Sequence, residues 1–166
     1  GYQTNAHLPF HCDNADAVAL FFLRQAPVGG TSLLSSATSI YNAILEQHPE
    51  YLETLARGFY HDQRKEQRPG LPEHSGHRIP VYSWYEGKLS CRYERPNIRI
   101  GAQLAGEPLS ELDQAAVDLV ERLGLGIDGH ADAAAGLVDQ VDGLVGQEAV
   151  GDVAVAEGGG GDDGAV

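Results

Sequence analysis

The chain has 166 residues, of which 42% are apolar, and this is enough for one domain with a hydrophobic core. Its formal net charge is -13, and all 11 lysines and arginines lie at or before Arg122. This balance excludes the basic face expected of a nucleic-acid-binding protein, and no apolar run approaches the length of a membrane span.

Two cysteines, Cys12 and Cys91, are fewer than a secreted, disulfide-stabilised domain usually carries. We therefore expect two thiols in a reducing compartment, and the cytoplasm is the default expectation for the location. With no long apolar run, no membrane association is expected. No signal peptide is visible. Because the chain starts at Gly1 rather than Met, we expect the natural N-terminus to be missing.

The first predicted elements are two strands joined by a turn. Residues 17–23 form a continuous apolar run, and its length fits a strand buried on both faces better than a helix. Pro27, followed by two glycines at positions 29 and 30, indicates a turn. Residues 31–34 then predict a short returning strand.

Two helices and a loop are predicted next. Ser35 or Ser36 can cap a helix that continues to about Gln47, because a serine hydroxyl accepts hydrogen bonds from first-turn amides. A second short helix is expected over about residues 51–56. The polar segment 61–78, rich in His, Arg, Gln and Pro, is typical of a loop or a mobile lid.

The later elements are a β-hairpin and an amphipathic helix. Residues 81–85 and 89–93 flank a Glu-Gly-Lys turn and carry aromatic residues suited to cross-strand pairing. Residues 97–100 are predicted to extend a strand. Ser110 begins a helix that continues to Leu123. The residues of this helix predicted to face the core are Leu112, Ala116, Leu119, Val120 and Leu123.

The composition changes abruptly after Leu123. Gly, Ala, Val, Asp and Glu, whose codons all begin with G, make up 36 of the 43 residues in 124–166, and no aromatic or basic residue occurs there. A folded β-rich domain is not expected to lose both classes at once. We interpret this tail as a wrong-frame or non-homologous reading of GC-rich DNA, with a natural acidic, flexible tail as the alternative. The predicted domains are residues 1–123 and a disordered or out-of-frame tail, 124–166.

The candidate chemistry lies in the tripeptide His11-Cys12-Asp13. Side chains two positions apart on an extended segment project from the same face, so the His11 imidazole and the Asp13 carboxylate can converge on one ion. They would be two of the three ligands in the two-histidine, one-carboxylate triad of non-haem iron(II) oxygenases. Taken alone, the pair is more typical of a surface histidine and a helix-cap or turn aspartate than of a metal site.

The order of motifs around this pair is more specific than the pair itself. Segment 8–13 precedes the apolar run, a turn with the sequence Pro-Val-Gly-Gly-Thr-Ser over residues 27–32 follows, and a helix with the pattern Ser-Ile-Tyr-Asn-Ala-Ile-Leu comes next. The hairpin with Trp84 and the helix from Ser110 come later. This arrangement, over roughly residues 2–123, resembles the taurine dioxygenase (TauD/TfdA-like) family of iron(II)/2-oxoglutarate-dependent oxygenases.

By that resemblance, His11 and Asp13 are iron(II) ligands. Ser32 matches the position of a hydroxyl residue, often threonine, that helps to hold the co-substrate 2-oxoglutarate. Cys12 would lie beside the metal without binding it, since its side chain points to the opposite face, and it would make the site more sensitive to oxidation.

The other site residues of the family are not apparent in the sequence. The family requires a second histidine well downstream, and then an arginine that pairs with the far carboxylate of 2-oxoglutarate. The histidine in the expected region is His130, which lacks the family's surroundings, and no arginine follows Arg122. We interpret His74 and His77 as loop residues rather than ligands.

The resemblance implies an α+β fold with a mainly β core, namely a double-stranded β-helix (jelly roll) with flanking helices, incomplete in this chain at both ends. It implies a dioxygenase, present as a fragment, that hydroxylates a small organic substrate with dioxygen while 2-oxoglutarate is decarboxylated to succinate. The alternatives are a catalytically inactive, truncated relative and a non-enzymatic jelly-roll module that binds a metal or small molecule. The sequence identifies neither the substrate nor the oligomeric state.

Overall fold

The computed structural model describes residues 8–15, 17–19, 31–126 and 153–158. The elements are β1 (Leu8–His11), β2 (Thr31–Ser36), α1 (Ala37–Gln47), α2 (Glu50–Arg57), β3 (Tyr82–Tyr85), β4 (Lys88–Cys91), α3 (Arg95–Leu104), α4 (Glu111–Gly124) and β5 (Val153–Gly158). The described residues are therefore α+β, as predicted. Among them, none of the helices has the length and apolar character needed to cross a bilayer.

A three-stranded antiparallel sheet has the order β1-β5-β2. Strand β2 confirms the short strand predicted from residue 31, and it pairs with β5 along its whole length. Strand β5 lies in the tail, where no strand was predicted. Its Val-Ala-Val-Ala sequence places β-branched residues at alternate positions, which suits a strand. The other residues of 127–166 lie outside the described part of the chain.

The predicted strand over 17–23 is described only at residues 17–19. These three residues form neither helix nor strand, and the Val18 side chain is exposed rather than buried. The rest of the apolar run, and the turn predicted at residues 27–30, lie outside the described residues.

Helices α1 and α2 confirm the prediction for this region. The Ser36 hydroxyl accepts a hydrogen bond from the Ser39 amide at 3.2 Å and so caps α1. Helix α2 buries Leu55 completely and ends at Gly58, which has a φ of 75°. A Cβ at Gly58 would collide with the Ile79 backbone, so glycine allows the chain after α2 to pair closely with the Ile79 segment.

The predicted hairpin is confirmed as β3 and β4, and the fully described segment 61–78 before it contains no helix or strand, as expected for a loop. The strand predicted over 97–100 is wrong, because these residues belong to helix α3. Pro96 suits the first turn of a helix. Ile98 and Ala102, four positions apart, are both buried on the core side of this helix.

Helix α4 confirms the predicted start at Ser110, which forms a capping box with Asp113. Four of the five residues predicted to face the core are buried, but Leu112 is 50% exposed, so its predicted burial is wrong. Leu112 lies in the first turn of α4, where it lines a pocket with residues of α2, among them Thr54 and Arg57. Ten of the sixteen residues in the core cluster of the described chain lie in helices, so helices rather than strands supply most of this core.

Candidate metal site and its cavity

Strand β1 places His11 and Asp13 on one side of the chain by simple alternation. Phe10 and Cys12 point into the core and are 2% and 6% exposed, so the residues on either side of Cys12 point away from the core. The end of this segment is held in place because the Cys12 amide donates a hydrogen bond to the Tyr93 carbonyl at 2.8 Å. The predicted convergence of the two side chains therefore follows from the strand geometry.

The His11 Nε2 and Asp13 Oδ1 atoms are 3.7 Å apart. His11 Nδ1 lies 2.9 Å from the Pro9 carbonyl oxygen, which can only accept a hydrogen bond, so Nδ1 carries the proton and Nε2 presents its lone pair. Nitrogen and oxygen donors lie about 2.0–2.2 Å from a divalent metal, so two donors up to roughly 4 Å apart can contact one ion. The pair therefore fits a shared metal ion.

These two side chains open onto a cavity of about 490 Å³, a volume suited to a small organic ligand. The lining residues are Leu8, His11, Cys12, Asp13, Asn14, His61, Asp62, Gln63, Arg64, Glu66, Arg92, Glu94 and Asn97. Four of them carry carboxylates and two carry guanidinium groups. With neutral histidines, the cavity has an excess of negative charge that would favour a divalent cation.

A hydrogen-bonded network holds one wall of this cavity. Arg64 forms an ion pair with Glu94, and its Nε donates to the Asn97 side-chain oxygen at 3.2 Å. Asn97 in turn donates to Glu94 Oε2 at 2.6 Å, and the Arg64 amide donates to Asp62 Oδ1 at 2.8 Å. Because each of these groups has a partner within the wall, the network fixes the shape of the cavity rather than leaving its charges unpaired.

His61 is a cavity residue that the sequence analysis did not single out. It is 4% exposed, and its amide donates to the Ser75 hydroxyl at 3.0 Å while its carbonyl accepts from the Ser75 amide at 2.8 Å. Gly101 of α3 lies so close to the His61 backbone that a Cβ there would collide with it. Burial, together with the nearby positive charge of Arg92, lowers the pKa of His61 to about 4, so its imidazole is neutral at physiological pH.

Two more cavity residues could have been found from the sequence. Arg92 and Glu94 flank Tyr93, which is 1% exposed and donates a hydrogen bond to the Val117 carbonyl. The same alternation that predicted the His11–Asp13 pair places Arg92 and Glu94 on the side opposite the buried tyrosine. No comparable local signal marks His61, because its burial depends on a helix forty positions downstream.

The other predicted site residues have different outcomes. The backbone of Ser32 lies in β2 opposite Glu157 of β5, and Leu8 of β1 pairs with the same glutamate. Ser32 and the cavity-lining residue Leu8 therefore lie at the same position along the sheet, on either side of β5. The role of the Ser32 hydroxyl stays a prediction. His74 Nδ1 donates a hydrogen bond within its own loop, to the Ser75 carbonyl at 2.7 Å. His77 is exposed in the same loop, and His130 lies outside the described residues.

Within the described ranges, no third histidine, cysteine, aspartate or glutamate joins His11 and Asp13 to form a group that could hold a metal ion. The described residues thus supply two donors beside a small-molecule cavity, which defines a candidate metal-dependent enzyme site.

The family model described as "Taurine catabolism dioxygenase TauD, TfdA family" matches residues 1–123, so the chain belongs to this family of oxygenases. This confirms the resemblance seen in the sequence. The chain is 37% identical over 131 residues to FR-33289 synthase of Streptomyces rubellomurinus (strain ATCC 31215), a match that covers 78% of this chain and 38% of that protein.

A second relative is the taurine hydroxylase-like protein SAT17 of Stachybotrys chartarum (strain CBS 109288 / IBT 7711). It is 35% identical over 88 residues, which are 53% of this chain and 21% of that protein. The chain therefore spans well under half the length of the curated relatives that it matches.

Proposed function

We propose that this chain belongs to the catalytic domain of an iron(II)/2-oxoglutarate-dependent dioxygenase that hydroxylates a small organic substrate. The observation that carries the proposal is the 3.7 Å separation of His11 Nε2 and Asp13 Oδ1 at the wall of the 490 Å³ cavity. Membership of an oxygenase family supports the same reaction class. The parent fold in this proposal is the family's jelly roll, with β1 and β2 as its described part within the matched residues, and the proposed location is the cytoplasm.

In this proposal, iron(II) supplies the activation of dioxygen that is coupled to the decarboxylation of 2-oxoglutarate. His11 would hold the metal through Nε2, and the Pro9 carbonyl orients the ring by accepting a hydrogen bond from Nδ1. Asp13 binds it through a carboxylate oxygen. By the family resemblance, the hydroxyl of Ser32 would contact a carboxylate of 2-oxoglutarate. The Arg64-Glu94-Asn97 network keeps the wall of the substrate cavity rigid.

The test is metal binding and succinate formation by the purified chain. Iron(II) is titrated under anaerobic conditions, and 2-oxoglutarate and dioxygen are then added while succinate is measured. His11→Ala is compared with His48→Ala, a matched control because His48 is an exposed histidine at the end of α1. We expect the unaltered chain and His48→Ala to bind iron(II), and His11→Ala to lose both iron(II) binding and any succinate formation.

Two results would contradict the proposal in different ways. Iron(II) binding that depends on His11 without succinate formation would favour the inactive relative or the non-enzymatic binding module. Iron(II) binding unaffected by His11→Ala would remove the metal assignment itself. If both activities are present, Ser32→Ala should raise the concentration of 2-oxoglutarate needed for half-maximal succinate formation and leave iron(II) affinity unchanged.

A further inference from the structure

The two cysteines of the chain lie together on the core side of the metal-binding segment. The Sγ atoms of Cys12 and Cys91 are 3.8 Å apart, although the residues are 79 positions apart in sequence. Cys12 is 6% exposed and Cys91 is partly buried, and the two are not joined by a disulfide in this structure. The fold, rather than local sequence, therefore brings the two thiols into contact.

The geometry around the sulfur atoms allows a bond between them. The Cys12 amide is hydrogen-bonded to the carbonyl of Tyr93, two residues beyond Cys91, so the two cysteines lie on adjoining extended segments. A disulfide bond is about 2.05 Å long, so each sulfur would have to move by roughly 0.9 Å, which is within the reach of side-chain rotation.

The pair lies between the core and the cavity, since Cys12 is a core residue that also lines the cavity and Cys91 is partly buried. Tyr82, 3% exposed, lies beside both sulfur atoms, and burial, with smaller contributions from Cys91 and Cys12, raises the pKa of its hydroxyl. Because Cys91 is only partly buried, a small oxidant such as hydrogen peroxide can reach it. These features favour an intramolecular reaction over one between two chains.

We propose that Cys12 and Cys91 form an oxidation site that closes to a disulfide on exposure to hydrogen peroxide. The Cys91 sulfur attacks one peroxide oxygen, the O–O bond breaks, and water leaves, which produces a sulfenic acid. The Cys12 sulfur then attacks the Cys91 sulfur, the S–O bond breaks, and a second water leaves. Each sulfur is oxidised by one electron, and the peroxide takes up both electrons together with the two thiol protons.

The position of the bond gives it a structural consequence. Cys12 lies between His11 and Asp13, and Cys91 is the last residue of β4. A disulfide would therefore tether the segment that carries the proposed metal ligands to the hairpin, next to the cavity residue Arg92. The inference goes beyond the proposed oxygenase function, because the reaction needs neither iron nor 2-oxoglutarate.

The test uses the whole chain at low concentration, with EDTA to remove metals, and a titration with hydrogen peroxide. We expect both thiols to disappear together, a monomer lighter by about 2 Da, a cross-linked Cys12–Cys91 peptide after digestion, and full recovery of both thiols with dithiothreitol. Cys91→Ser and Cys12→Ser are the controls, and neither should give the lighter monomer.

The proposal is overturned if both thiols survive peroxide that oxidises glutathione in the same tube. It is also overturned if the two cysteines are oxidised independently to sulfinic acids, or if the disulfide joins two chains, so that its rate depends on protein concentration. Because the measurement is made on the unaltered chain, it does not depend on whether the serine variants fold. A negative result leaves the iron site untouched, since iron(II) is absent throughout.

Discussion

Two aspartates of this chain differ in their exposure and in the number of their partners within the protein. Asp113, at the start of α4, has a side chain that is 13% exposed. It accepts hydrogen bonds from the Ser110 amide at 3.1 Å and the Ser110 hydroxyl at 2.8 Å, contacts the Thr54 hydroxyl, and pairs with Arg57. Asp13 has a side chain that is 48% exposed, and its ion-pair contact within the described chain is His11, 3.7 Å away.

The difference separates a carboxylate that stabilises the fold from one available to a ligand. Burial alone would raise the pKa of Asp113, but the hydrogen bonds from Thr54 and Ser110 and the charge of Arg57 outweigh it, so this pKa lies below its usual value. A carboxylate can accept about four hydrogen bonds, and Asp113 uses this capacity within the protein. Asp13 keeps most of its capacity facing the cavity.

The largest expected effect is a loss of stability caused by a substitution in the helical part of the core. Leu55→Ala removes a side chain of α2 that is completely buried, and we expect it to lower the free energy of unfolding by about 2–5 kcal/mol. Leu45→Ala in α1 is the matched control, because Leu45 is 51% exposed. Urea denaturation followed by circular dichroism measures both. Equal losses in the two variants would mean that α2 does not pack as described.

The comparison between the aspartates is tested directly by Asp13→Ala and Asp113→Ala. We expect Asp13→Ala to weaken iron(II) binding by about 100-fold, equivalent to about 2.7 kcal/mol, and to leave the unfolding free energy unchanged. Asp113→Ala should show the reverse, with stability lower by about 1–2 kcal/mol and iron(II) affinity retained. Anaerobic iron(II) titration and urea denaturation measure the two effects, and both variants losing the same property would remove the distinction.

The helices that the sequence predicted well are those with local signals. Ser36 and Ser110 both accept hydrogen bonds in the first turn of their helices, and this depends only on residues within one turn. Helix α3 was missed because Ile98 and Ile100 alternate as in a strand, whereas packing of Ile98 in the core decides for the helix. Strand β5 was missed because its pairing partners lie more than a hundred positions away.

The residues of the candidate site likewise divide into those that local sequence predicts and those that it does not. His11 and Asp13 could be predicted because strand alternation over three residues brings them together. His61 could not, because its position depends on the contact of its backbone with Gly101 and on its hydrogen bonds with Ser75. Sequence periodicity reports on neighbours in the chain, whereas a cavity is assembled from segments whose contact depends on the whole fold.

His61 extends the comparison between structural and ligand-binding residues, because it is a buried titratable residue that lines the cavity. Its pKa of about 4 in the folded chain lies below the usual 6.5 of an unfolded chain, so lowering the pH protonates the unfolded chain first. The stability due to this group is therefore complete above about pH 6.5 and is lost as the pH falls towards 4. Between pH 6.5 and 5 we expect a loss of about 2 kcal/mol.

The measurement is the urea midpoint at several pH values in this window. His61→Gln should flatten the dependence on pH, whereas His48→Ala, at an exposed site, should keep it. An unchanged slope in His61→Gln would show that the imidazole of His61 accepts a proton as readily in the folded chain as in the unfolded one.

The smallest expected effect isolates the helix-capping part of the Asp113 network. Ser110→Ala removes the hydroxyl that accepts from the Asp113 amide at 3.2 Å, and loss of such a cap costs about 1 kcal/mol. Ser110→Thr, which keeps a hydroxyl, should retain most of that stability, and neither variant should change iron(II) affinity.

If Ser110→Ala weakened iron(II) binding as much as Asp13→Ala, the α4 cap and the cavity would be energetically coupled, and the division between a structural and a ligand-binding aspartate would not hold. Independent effects are expected because distant sites without shared partners behave additively, and the Asp113 contacts to Thr54, Arg57 and Ser110 include none of the cavity residues.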